Sequence, residues 1–96
     1  MTQDALVFDV DQQRFGISSS YVMQLIRAVA ITKLSAAPTF IEGMINYHGT
    51  IVPVLDFRAL FQLPAKELEI SDNLIILQVQ DSAFAIRVDR AKPNSR

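Results

Sequence analysis

The chain has 96 residues, with nine basic against ten acidic side chains and a formal net charge of −1. Half of the residues are hydrophobic and a fifth are charged, which excludes a disordered chain and fits one domain. With no basic field, no cysteine and one histidine, nucleic-acid binding, a disulfide framework, thiolate chemistry and a histidine-rich metal site fall away.

No apolar run approaches the roughly 20 residues of a membrane span, and MTQDALVF lacks the features of a signal peptide. The expectation is a soluble cytoplasmic protein with no direct membrane insertion and no cofactor.

Leu6, Phe8 and Val10 alternate as in a half-buried strand, Asp11-Gln12-Gln13 turns the chain, and Arg14 to Ile17 returns as its hairpin partner. Ser18-Ser19-Ser20 offers an N-cap, and Tyr21, Val22, Leu25, Ile26 and Val29 then share one helical face. Ile31 to Leu34 reads as a short strand and Ser35 to Pro38 as a loop. Thr39 and Glu42 have the spacing of a capping box for a helix carrying Phe40, Ile41, Met44 and Ile45. Gly43 inside it weakens the helix and marks close approach by another backbone.

Asn46-Tyr47-His48-Gly49 is a polar turn, and Thr50 to Leu55 an apolar strand whose Pro53 requires a local edge or bulge. Asp56 caps a short helix with Phe57, Leu60 and Phe61 on one face, ended by Pro64. Ala65 to Asp72 reads as an acidic, solvated loop, Leu74 to Val79 as the most apolar strand, and Phe84, Ile86 and Val88 as its partner. The domain is expected over 1–90, with 91–96 an unstructured polar tail.

FDVDQQRFGI (8–17) aligns without gaps on LQVQDSAFAI (77–86), which suggests a hairpin used twice. The chain stops after the second copy, so the strands of that copy are expected to expose an unpaired edge.

VMQLI (22–26), P-x-F-I-x-G (38–43), N-x-x-G (46–49), IVPVLDFR (51–58) and NLIIL-x-V (73–79) together resemble a CheW-like domain, from about Leu6 to Asp89. The family comprises adaptors that couple chemoreceptors to the histidine kinase CheA, and the regulatory domain of CheA itself. The resemblance implies a mainly β fold with short helices, a pair of SH3-like β-barrels. Family domains continue for some tens of residues further, so the second barrel is expected to be incomplete in this chain. It also implies a non-catalytic adaptor. Its partners would be the CheA-type kinase regulatory domain and the chemoreceptor cytoplasmic tip; the alternative is a self-assembling, domain-swapped scaffold module in a related signalling array, with a homodimer as its form.

The partner-binding positions carried over are Val22, Gln24, Gly43, Asn46, His48 and Gly49. Two of them depart from the family: His48 stands where an arginine is usual, and Gln24 where a glutamate is common. An ordinary histidine is mostly neutral at pH 7 and lacks the permanent, bidentate charge of arginine. Against a docking role, His48 reads equally as an exposed turn residue, and Val22, Leu25 and Ile26 as core. No serine, cysteine or second histidine is placed to work with His48 in catalysis. Gly43 and Gly49 lack the lysine and spacing of a phosphate loop, and Glu67, Glu69 and Asp72 lack the spacing of a calcium loop.

Overall fold

In a computed structural model, which describes residues 4–36 and 38–93, the chain forms eight strands and a one-turn helix. β1 (Ala5–Val10) and β2 (Gln13–Ser18) make the first hairpin, and a single 3-10 turn (Ser19–Tyr21) leads into β3 (Val22–Arg27). β4 (Ile41–Tyr47) and β5 (Thr50–Leu55) make the second hairpin, followed by α1 (Phe57–Leu60). β6 (Asn73–Val79), β7 (Ser82–Val88) and β8 (Arg90–Pro93) complete the set. A three-stranded sheet runs β2-β1-β8 and a five-stranded sheet β3-β6-β7-β5-β4, all antiparallel except β5 against β7.

Two stretches that fit a helical repeat are strands, for one reason. β3 shifts register between Val22 and Gln24, and β4 between Ile41 and Gly43. A bulge adds one residue to the period-two alternation, so inward positions fall three apart and imitate a helix. β3 also buries both faces: Leu25 packs against one core and Ile26 against the other. The capping-box reading of Thr39 and Glu42 falls with the helix, since the Glu42 carboxylate instead accepts two bonds from Arg87 (3.1 and 2.8 Å). The expected strand at Ile31–Leu34 reduces to one bridge, Thr32 opposite Met44.

That bridge closes the five-stranded sheet. Thr32 donates to the Met44 carbonyl (2.9 Å) and Met44 to the Thr32 carbonyl (2.8 Å), so the segment after β3 is sewn to β4, the other edge of the sheet. The result is a small barrel filled by Ile45, Val52, Val54, Leu74, Ile76 and Ala85. Gly43 lies buried at this seam, where an added Cβ would stand 2.4 Å from the Thr32 oxygen and 2.6 Å from an Ile31 methyl. The close approach expected of Gly43 is therefore real and has a purpose.

A second core fills the space between the barrel and the three-stranded sheet. Leu6, Phe8 and Val10 of β1 meet Ile75 and Leu77 of β6, Ile86 and Val88 of β7, and Phe57 of α1. Phe8, Phe15, Phe57 and Phe61 form an aromatic cluster, with Phe15 and Phe57 edge to face at 4.9 Å. β6 is apolar throughout because alternate residues feed different cores: Leu74 and Ile76 face the barrel interior, Ile75 and Leu77 the outer core.

Asp56 caps α1 by accepting from the Ala59 amide (3.0 Å). α1 ends before Pro64 is reached: Gln62 takes a left-handed conformation, and the Leu63 amide donates to the Arg58 carbonyl (2.7 Å). β5 meets β7 only at Val54 and Leu55, so Pro53 lies on a locally open side, as its missing donor requires.

Both copies of the hairpin repeat pair in the same register, Phe8 opposite Phe15 and Leu77 opposite Phe84. The unpaired edge expected on the second copy is not there. β6 lies between β3 and β7, and β7 between β6 and β5, so β2 and β8 are the edges of the smaller sheet. The polar tail also needs correction. Arg90–Pro93 is strand β8, paired with β1 (Leu6 opposite Pro93), while residues 94–96 lie outside the described residues.

Candidate docking site

The β4–β5 connection is a two-residue turn. His48 (φ +52°) and Gly49 (φ +84°) are both left-handed, as a tight hairpin requires. The Asn46 side-chain oxygen accepts from the Gly49 amide (2.8 Å) and fixes the turn. Asn46, His48 and Gly49 are exposed, and a Cβ built on Gly49 meets nothing within 4 Å. The turn thus projects into solvent on a rigid stem.

Gln24 joins this turn from the opposite edge of the barrel sheet, accepting a hydrogen bond at Oε1 from the Tyr47 hydroxyl. The Tyr47 ring packs against the barrel core and lies 4.4 Å from the His48 ring at an angle of 74°. Four of the six carried-over positions, Gln24, Asn46, His48 and Gly49, therefore gather at one end of the barrel. Gly43 does not join them, being buried along β4 at the seam. Val22 is half-buried, opposite Leu77 and packed on the outer core.

Tyr47 was not legible as a site residue, because a tyrosine inside a turn signal reads as a filler. Its place at the end of an apolar strand, one residue before a left-handed pair, is the signal that could have found it.

One acid of the loop before β6 departs from the solvated face that its composition suggests: Glu67 and Glu69 are exposed, Asp72 is not. Asp72 is fully buried; it takes bonds from Lys66 Nζ (3.1 Å), Arg87 (3.0 Å) and the Glu69 amide (2.9 Å). Both carboxylate oxygens of Asp89 accept from Arg58 Nη2 (3.0 and 2.9 Å), and Asp89 takes bonds from Lys66 (3.2 Å) and the Asp11 amide (2.9 Å). Burial alone would raise the Asp89 carboxyl; the Asp11 amide, Arg58 and Lys66 outweigh it and hold it below the ordinary value. Glu42 goes the other way, raised by burial despite its pairing with Arg87.

A cleft of about 570 Å³ opens beside this network, between Lys33, Glu42, Lys66 and Arg87. Lys66 and Arg87 are bound to carboxylates, while Lys33 and Glu67 also line the cleft. A separate apolar groove of about 480 Å³ lies among Leu34, Ile41, Met44 and Pro53. Among the described residues no three acidic or histidine side chains cluster in a metal-binding arrangement, and no helix is long and apolar enough to cross a membrane.

The CheW-like domain family matches the sequence over residues 4–95. The chain belongs to that family. It is 27% identical over 89 residues to the chemotaxis protein CheW of Treponema pallidum (strain Nichols), covering 88% of this chain and 52% of that protein. Against CheW of Bacillus subtilis (strain 168) the identity is 29% over 86 residues, covering 90% and 55%. Among solved structures, the scaffolding protein TtCheW of Thermoanaerobacter tengcongensis superposes with a TM-score of 0.87 at 28% identity, covering 96% of this chain and 63% of that one. The chain spans about half the length of these curated relatives. The CheW-like fold accounts for both sheets, the five-stranded one and the three-stranded one.

Proposed function

We propose that this protein is a non-catalytic, cytoplasmic signalling adaptor that couples chemoreceptors to a CheA-type histidine kinase. The observation that carries the reading is the gathering of Gln24, Asn46, His48 and Gly49 at one exposed barrel end, on a turn fixed from within. The naming of relatives as chemotaxis CheW proteins supports it. The kinase regulatory domain docks on this end, and the receptor tip is the second partner.

Gly49→Leu tests the site. The left-handed conformation costs a non-glycine residue about 1–2 kcal/mol, and the new side chain projects into the space a partner would occupy. The expected outcome is a folded protein with slightly lowered Tm that no longer forms a complex with the kinase regulatory domain in light scattering on a sizing column. Undiminished complex formation rejects the site. The β2 and β8 edges favour one further reading, a homodimer by strand addition, which the same column reports as a mass that rises with concentration.

A further inference from the structure

We propose that Tyr47 is the positioning residue of this docking face, and that the face takes a partner surface without charged anchors. The inference rests on the adaptor reading and deepens it. Tyr47 spans the barrel mouth: its ring packs on the core inside, and its hydroxyl reaches Gln24 on the opposite edge. The same ring holds the neighbouring His48 ring at 4.4 Å. Its backbone pairs with Thr50 across the turn, so its place is set by the left-handed residues that follow. One side chain therefore links the two positions that depart from the family, Gln24 and His48, which do not bond to each other directly.

The charge pattern indicates the partner. No aspartate, glutamate, lysine or arginine occurs in 22–26 or in 45–51. The exposed apolar side chains there are Met23 and Ile51, 49% and 59% accessible. A face of amides, two aromatic rings and aliphatic flanks, with Asp81 of the β6–β7 turn at the same end of the barrel, recognises chiefly by shape and neutral hydrogen bonds. Its affinity then depends little on salt, since screening acts on charges.

The test uses the whole chain. The His48 ring protons are recorded by NMR in the wild type, Tyr47→Phe and Tyr47→Leu. The kinase regulatory domain is titrated calorimetrically into the wild type, Gln24→Ala, Tyr47→Phe and the double variant, at low and high salt. The expected results are a His48 ring shift retained by Tyr47→Phe and lost in Tyr47→Leu. Gln24→Ala and Tyr47→Phe should each weaken binding roughly threefold to tenfold, as for one hydrogen bond, and the double variant no more than either single one. Wild-type affinity should change by less than about threefold between ~0.05 and ~0.5 M salt.

An unaltered His48 shift in folded Tyr47→Leu, or losses that multiply in the double variant, overturns the role of Tyr47. A fall of more than about tenfold in affinity with salt overturns the uncharged partner. If the wild type binds no kinase domain, the adaptor reading and the docking part fall together, and the NMR arm alone decides whether Tyr47 sets the turn.

Discussion

A methyl group at Gly43 would overlap the Thr32 carbonyl, whereas one at Gly49 would meet only solvent. The two glycines are six residues apart and do opposite work: Gly43 supplies room and Gly49 supplies conformation. Gly43→Ala forces the barrel seam apart, and over-packing of this kind costs about 1–3 kcal/mol. Its Tm should fall several degrees while Gly49→Ala, strained but not crowded, falls less. Thermal unfolding of the two variants checks the order. The role of Gly43 was legible because a glycine within an apolar run marks backbone contact. The burial of Asp72 was not. Nothing in LEISDN (68–73) distinguishes an exposed acid from one held by Lys66, 6 residues before it, and Arg87, 15 residues after it.

Ion pairs set the behaviour of the elements in acid. Asp89 joins α1, the β1–β2 turn and the loop before β6 through Arg58, the Asp11 amide and Lys66. Its folded carboxyl titrates below the ordinary 3.8, so its stabilisation is present in full above that value and is lost as pH falls through the lower, folded one. Glu42, raised above 4.5, has the opposite sign: its contribution is present in acid and is lost as pH rises through its folded value. Asp89→Asn leaves the buried Arg58 only its longer ion pair with Asp11 (3.8 Å) and should cost about 2 kcal/mol near neutrality. Its Tm should also vary less below pH ~4 than that of the wild type; parallel curves would show that Asp89 does not govern acid stability. Strands with regular alternation or continuous burial, such as β1, β6 and β7, could be read from composition. β3 and β4 could not, because a bulge and a two-sided core give a strand the spacing of a helix.

At the scale of the molecule, two cores share one sheet. Family resemblance anticipated a closed barrel and an open one, but the pairing scheme lies beyond local pattern. Residues of β5 and β7 that meet in parallel, Val54 with Ala85, are 31 positions apart, and no turn signal announces them. The stitch between Thr32 and Met44 is a single bridge, too short to leave a periodic trace.

The pairing of β1 with β8 sets a timetable. Leu6 lies opposite Pro93, so β1 cannot complete its sheet until β8, 87 residues further along the chain, has appeared. Closing so long a loop is entropically slow, whereas the two-residue hairpin at His48-Gly49 closes almost at once. During refolding, amide labelling pulses should find β4 and β5 protected before the β1–β8 ladder. Simultaneous protection would mean that the two sheets assemble in a single step. Until α1, β6 and β7 arrive, Leu6, Phe8 and Val10 wait on a hairpin that cannot by itself keep them from water, and this interval is when the chain is most open to a chaperone or to another copy.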